Sequence, residues 1–287
     1  MAKKIWLVGI GMGNRDTLTI GAWNILKNCD CLIGAQRMLD AFPELTCRRF
    51  AATAPEKIAA YLQEHPEFQT IGVVFSGDVG FYSGAKKLRS LFPEHLIEEC
   101  CGISTVAYLC AKLHTPWEDV RLVSAHGQAC NLAGEVRTHE KVFVLAGKVS
   151  AQELCKALCR AGLGGVTVSV GERLSYPEEA ITTGPAERLS GQTFDPLSAL
   201  LIQNPAPLSN DTLAFGLPDE RFIRGNTPMT KSEVRCISLS RLRLQRESIA
   251  WDIGAGTGSV SIEMALQAAR GMVYAVEKDA DACQLIE

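Results

Sequence analysis

Five turns in this chain place glycine beside groups that can hold a ligand. Gly9-Ile10-Gly11-Met12-Gly13 follows a short apolar run, and glycines there let backbone amides approach a bound molecule closely. Alone, such a turn is compatible with a nucleotide site, a carboxylate site or only a tight bend. Ser76-Gly77-Asp78-Val79-Gly80-Phe81-Tyr82 comes next, with Asp78 where a strand's carboxyl end meets a crevice. Cys101-Gly102-Ile103-Ser104-Thr105 puts two hydroxyls at a helix start, where Ser104 also serves as an N-cap. Ser124-Ala125-His126-Gly127 adds an imidazole, the side chain that titrates nearest neutral pH. The fifth, Asp252-Ile253-Gly254-Ala255-Gly256-Thr257-Gly258, is followed about 20 residues later by Glu277, a spacing at which a carboxylate can accept two ribose hydroxyls. Asp78 and His126 are the candidate proton-transfer residues.

These turns must be carried by elements that end at one edge. Apolar runs predict strands at Ile5–Ile10, Cys31–Ile33, Thr70–Phe75, Arg121–Ser124, Lys141–Leu145 and Val166–Val170. Helical spacing predicts Thr19–Asn28, Pro55–Glu64, Ser83–Leu91, Ser104–Leu113 and Ala151–Ala161, the last ended by Gly162. Strands alternating with helices of about ten residues indicate an α/β fold with mostly parallel sheets. Prolines at 205, 207, 218 and 228 mark a linker. After it come a helix at Lys231–Leu242, a strand from Ile249 and another at Met272–Val276, so two domains are expected, 1–205 and 206–287.

Composition narrows the function. The 287 residues are 47% hydrophobic and carry a net charge of −3. That balance offers no basic footprint for nucleic acid or an anionic membrane, and no apolar stretch reaches 18 residues, so no membrane span is expected. The N-terminal run is broken by glycines and reads as a strand rather than a leader. Eleven cysteines without a Cys-x-x-Cys pair point to reduced, buried thiols in the cytoplasm and to no metal.

In their order and spacing, the first four turns resemble the tetrapyrrole (corrin/porphyrin) methyltransferase family. Gly9–Asn14 is similar to its Val-Gly-x-Gly-Pro-Gly-Asp signature, with Met12 for proline and Asn14 for aspartate. Ser76–Ser83 resembles Ser-Gly-Asp-Pro-Gly-Phe-Tyr-Gly, with Val79 for proline. Ser-Ala-His-Gly and Gly171-Glu172-Arg173-Leu174 resemble the branch that methylates carbon 5 of precorrin-7 or its cobalt form. The resemblance spans about residues 3–200. It implies a two-lobed α/β domain, a homodimer, S-adenosylmethionine as cofactor and a precorrin or cobalt-precorrin as substrate. Carried over by motif position, Gly9, Gly11, Met12, Gly13, Ser76, Gly77, Asp78, Phe81, Ser104, Thr105, Ala146 and Leu174 would bind the cofactor. Arg37, Arg48 and Arg49 are candidates for substrate carboxylates, since a guanidinium fork matches them geometrically.

The fifth turn, with its preceding Asp252, resembles motif I of Rossmann-like methyltransferases more than a nicotinamide site. Pro228-Met229-Thr230-Lys231 resembles the entry to the class that methylates carbon 15 and decarboxylates an acetate chain, which some members fuse to the carbon-5 module. Thr230, Gly254, Ala255, Gly256, Thr257, Gly258 and Glu277 would then contact cofactor. A Rossmann-like sheet needs more strands than follow here, so this second domain is expected to be truncated and its carbon-15 activity lost. Competing readings are a methylase acting elsewhere on the corrin or on a diphthamide-type protein, a protein that binds S-adenosylmethionine or tetrapyrrole without turnover, and a nicotinamide oxidoreductase.

Overall fold

The computed structural model describes residues 3–93, 96–124, 131–208 and 216–286; His126 lies outside them. In the first strand, β1 (Lys4–Gly9), Ile5 and Leu7 face one side while Val8 and the following Ile10 face the other, and all four are buried. Such a strand must be covered on both faces. It sits inside a parallel sheet with β2 (Cys31–Gly34), β3 (Arg48–Ala51), β4 (Thr70–Phe75) and β5 (Ile97–Cys100), in the order β3-β2-β4-β1-β5. Helices α1 (Ile20–Leu26) and α2 (Gln36–Leu39) bring Leu26 and Leu39 against Val8, Leu32 and Val74. On the opposite face, α3 (Pro55–Glu64) and α4 (Ala85–Arg89) bring Ile58, Leu62 and Leu88 against Ile5, Ile33 and Val73.

A second sheet contains β6 (Arg121–Ser124), β7 (Lys141–Leu145), β8 (Thr167–Glu172), β9 (Ala180–Pro185) and β10 (Ser198–Gln203), ordered β6-β7-β10-β8-β9. Only β6 and β7 run parallel. The other three pairings are antiparallel, which corrects the expectation of mostly parallel sheets here. The reversal comes from β10, whose Ser-Ala-Leu-Leu-Ile-Gln run returns between β7 and β8 and is buried from Ser198 to Ile202. On one face, α5 (Thr105–Lys112) packs Val106 and Leu109 against Phe143, Leu174 and Leu201. Met12 from the first sheet's opening turn joins that cluster. Helices α7 (Ala151–Arg160) and α8 (Ala186–Leu189) pack on β10 and β8. Gly162 ends α7 as expected, at φ +74°, which a Cβ would penalise.

The chain divides into two compact units: residues 1–130 with 141–203, and residues 131–140 with 204–287. The second contains α6 (Leu132–Thr138), α9 (Ser232–Leu242), β11 (Ile249–Ile253), α10 (Ser259–Gln267), β12 (Met272–Val276) and α11 (Ala280–Ile286). β11 and β12 pair in parallel, and Ile249, Trp251, Ile253, Met272, Tyr274 and Val276 are exposed.

What organises this unit is ionic. Arg235, fully buried, donates from Nε to Glu263 Oε1 at 2.8 Å and from Nη1 to Asp219 Oδ1 at 2.8 Å. It also donates to the Leu217 and Thr230 carbonyls, and its guanidinium lies 4.7 Å from the Phe222 ring centroid. Glu263 in turn accepts from the Gly216 and Leu217 amides at 2.7 and 3.2 Å. One cation therefore fixes the 216–230 strap to α10. Removing one partner of a buried pair leaves the others uncompensated, so Arg235→Ala is expected to destabilise this unit by about 3–5 kcal/mol. Limited proteolysis should then cut the 204–287 region early while the first unit stays resistant.

Candidate active site

Because β4, β1 and β5 are neighbours in one parallel sheet, the turns that follow them emerge side by side. They touch through backbone. Gly77 N–H donates to Gly11 O at 2.6 Å, and Gly11 N–H returns to Gly77 O at 3.2 Å. A Cβ on Gly9 would lie 2.7 Å from Gly102 N, and one on Gly102 would lie 2.3 Å from Gly77 O. Only glycine permits this approach. Asp78 ties the same turns: its Oδ1 accepts from Gly80 N–H at 2.8 Å and its Oδ2 from Gly102 N–H at 2.9 Å. Thr17 Oγ1 accepts from Met12 N–H at 3.0 Å and so fixes the end of the first turn. Ser104 caps α5, its Oγ accepting from Ala107 N–H at 3.4 Å.

Beside these turns, within the first unit, lies a cleft of about 390 Å³, a size suited to a small molecule. Of the residues assigned to cofactor binding by motif, Met12, Ser76, Phe81, Thr105, Ala146 and Leu174 line it. Gly9, Gly11, Gly77, Asp78 and Ser104 do not; they form the turn framework described above, and Gly13, also outside the lining, lies against Tyr176. Both sheets contribute, Val74 and Phe75 from the first and Leu145, Gly171 and Ala199 from the second. Arg37 is the only charged side chain in the described lining. Arg49 instead donates to the Phe42 and Leu45 carbonyls at 2.5 and 2.8 Å, so it stabilises a loop. Arg48 sits on edge strand β3 and is absent from the lining.

Sequence reasoning missed Gly34, Thr53, Tyr176 and Ser198, which also line the cleft. Gly34 carried a readable signal as a glycine closing an apolar run. Tyr176 carried none: it reaches the cleft because Arg173 and Ser175 adopt left-handed φ values of +44° and +71°.

In the second unit, Gly254, Gly256 and Gly258 hold φ values of +80°, +57° and +72°, so the turn requires glycine at each. Glu277 Oε2 accepts from Gly256 N–H at 2.8 Å, and Oε1 accepts from Lys278 and Asp279 N–H at 2.7 and 3.0 Å. These amides, Asp279 foremost, hold its carboxyl below the usual range. The strap holding Thr230 passes the same turn: a Cβ on Gly256 would sit 3.5 Å from Pro228 O. Ala255 and Thr257 are buried within the turn and Thr230 is exposed.

The family model described as Tetrapyrrole (Corrin/Porphyrin) Methylases matches residues 4–190. The chain belongs to that family. A second model, the Precorrin methyltransferase domain, matches residues 221–287. Among curated relatives, a probable cobalt-precorrin-7 C(5)-methyltransferase of Methanocaldococcus jannaschii is 28% identical over 207 residues, covering 69% of this chain and 97% of that protein. A precorrin-6Y C(5,15)-methyltransferase [decarboxylating] of Sinorhizobium sp is 26% identical over 274 residues, which is 91% of this chain and 65% of that one. A probable cobalt-precorrin-6B C(15)-methyltransferase (decarboxylating) of Pyrobaculum calidifontis is 53% identical over 72 residues, 24% of this chain and 37% of its own length. The chain thus spans under two thirds of the Sinorhizobium protein and just over a third of the Pyrobaculum one. Solved structures give the same fold for the methylase region. The precorrin-6Y methylase of Archaeoglobus fulgidus superposes with TM-score 0.55 at 22% identity, covering 70% of this chain and 98% of that one. The uroporphyrin-III C-methyl transferase of Thermus thermophilus, complexed with S-adenyl homocysteine, gives 0.60 at 17%, covering 70% and 92%.

Two outcomes follow from this geometry. Gly102→Ala forces a Cβ into the Gly77 carbonyl and is expected to cost about 3 kcal/mol in urea unfolding, since backbone cannot yield as a side chain can. A depressed carboxyl stabilises the fold above its ordinary value of 4.5 and loses that contribution as pH falls through its folded value. Glu277→Gln should therefore flatten the acid limb of the second unit's stability below about pH 5 and leave the neutral region's pH dependence unchanged.

Proposed function

We propose that the first unit binds S-adenosylmethionine in the cleft and transfers its methyl group to carbon 5 of a precorrin, within cobalamin biosynthesis. The observation that carries this is the alignment with the M. jannaschii carbon-5 enzyme along 97% of that protein, beside a family match over residues 4–190 that includes most of the cleft lining. The cleft residues fit an adenosyl group. Met12, Phe81, Leu145 and Leu174 offer apolar walls for a flat ring, and Ser76, Thr105 and Thr53 offer hydroxyls for its polar edge. When bound, that cofactor supplies an electrophilic methyl group.

The chain's own contribution is then geometric. The interlocked turns at Gly9, Gly77 and Gly102 hold one wall rigid, and the second sheet supplies the opposite wall. Methyl transfer to an electron-rich ring carbon needs in-line approach and exclusion of water more than a strong base. Asp78, proposed on sequence as a proton acceptor, has both oxygens engaged by Gly80 and Gly102 amides, so its role is to hold the turns. No carboxylate or imidazole lines the cleft among the described residues. His126 remains the sequence-based candidate for proton transfer.

The second unit, with its glycine turn, Glu277 and the match at 221–287, is read as belonging to a carbon-15 methylating, decarboxylating module, of which it spans just over a third in the Pyrobaculum relative. The domain division proposed for function is the one at 205/206. A cytoplasmic homodimer completes the reading. The deciding measurement is the product mass from S-adenosylmethionine and a precorrin-6-stage substrate, with and without cobalt. One added methyl with every carboxylate intact is expected from this chain; two methyls with loss of carbon dioxide would assign the second unit an activity of its own.

A further inference from the structure

Arg37 stands alone as a charge in the described cleft lining. Its Nη1 donates to Tyr176 Oη at 2.8 Å, and among the described residues no carboxylate lies within ion-pair distance of it. The contact joins the two halves of the unit, since Arg37 belongs to α2 and Tyr176 to the β8–β9 connection. Several features bring that hydroxyl there. Ser175 is held at φ +71° and its carbonyl accepts from Asn14 Nδ2 at 2.7 Å. A Cβ on Gly13 would lie 2.6 Å from Tyr176 Oη, so the absence of a side chain at Gly13 makes the room. Glu179 anchors the far end, accepting from Ser175 N–H at 2.5 Å and Tyr108 Oη–H at 2.7 Å, with Lys112 at 2.7 Å.

The tyrosine uses one of the five N–H donors on Arg37. Arg37 is exposed, and among the described residues its guanidinium has one neutral acceptor and no ion-pair partner; a fork left with open donors is set up to take a carboxylate in a two-point contact. We propose that Arg37 is a carboxylate-binding residue of this cleft and Tyr176 the residue that positions it. The inference rests on the function proposed above, in which carboxylates arrive from two sources: the acid side chains of the tetrapyrrole and the amino-acid end of the cofactor.

The test uses full-length protein and the variants Arg37→Gln, Arg37→Lys and Tyr176→Phe, with thermal melts to verify folding. Two probes separate the sources. Binding of S-adenosylhomocysteine is read by calorimetry, and binding of dicyanocobyrinic acid against its heptamethyl ester is read by absorbance titration. Wild type is expected to prefer the free acid, and Arg37→Gln to lose about tenfold or more in affinity for it while binding the ester as before. Arg37→Lys should recover part of that loss, because a point charge cannot reproduce the fork. Tyr176→Phe should weaken acid binding several-fold. A tenfold loss confined to S-adenosylhomocysteine would support the carboxylate site and assign it to the cofactor. Unchanged affinities for both probes in Arg37→Gln, with wild type binding both, would overturn the inference. Wild type binding neither probe would instead overturn the function on which it rests.

Discussion

The methylase unit depends on three glycines meeting where three adjacent parallel strands end. Gly9, Gly77 and Gly102 approach so closely that a methyl on Gly9 or Gly102 would overlap a neighbour's backbone. Their contact converts three separate turns into one surface, and Asp78 locks that surface by accepting amides from its own turn and from the β5 turn. Met12 can then leave the first sheet's turn and pack with Leu109, Phe143 and Leu174 under the second sheet. The cleft wall and the contact between the two sheets thus share one cause.

Glycine serves backbone conformation in both units: Gly11, Gly13 and Gly77 in the first, and Gly254, Gly256 and Gly258 in the second, hold positive φ values. In the first, Gly9 and Gly102 also let backbone approach backbone, and hydroxyl and apolar side chains line the cleft. In the second, Glu277 draws three amides to its carboxylate. The entering strap of that unit is held by the buried Arg235 rather than by apolar packing. A buried cation with two carboxylates and two carbonyls gives a strap one registry, at the cost of desolvating every partner.

The sequence determined the covered strands β1 and β4, since runs such as Thr-Ile-Gly-Val-Val-Phe are too apolar for any exposed position. The turns were legible too, because strand, glycine and hydroxyl fall in fixed order; the family resemblance, not that order, supplied Met12, Ser76, Phe81, Thr105, Ala146 and Leu174, which line the cleft. Edge strands β3 and β5 were not legible: Arg-Arg-Phe-Ala and Ile-Glu-Glu-Cys bury too few side chains to show alternation. The antiparallel return of β10 was not legible either, because strand direction depends on which neighbour accepts its amides and not on its own residues. Nor could spacing distinguish a lining residue from a framework residue. Gly77 and Asp78 stand in the same motif as Ser76, yet face their neighbouring turns. Arg37 and Tyr176 lie 139 residues apart and meet only because two sheets bring them to one cleft. Local composition fixes which segments must be buried and where the chain can bend; which groups then face each other across a cleft is set by sheet order and packing, which no local pattern encodes.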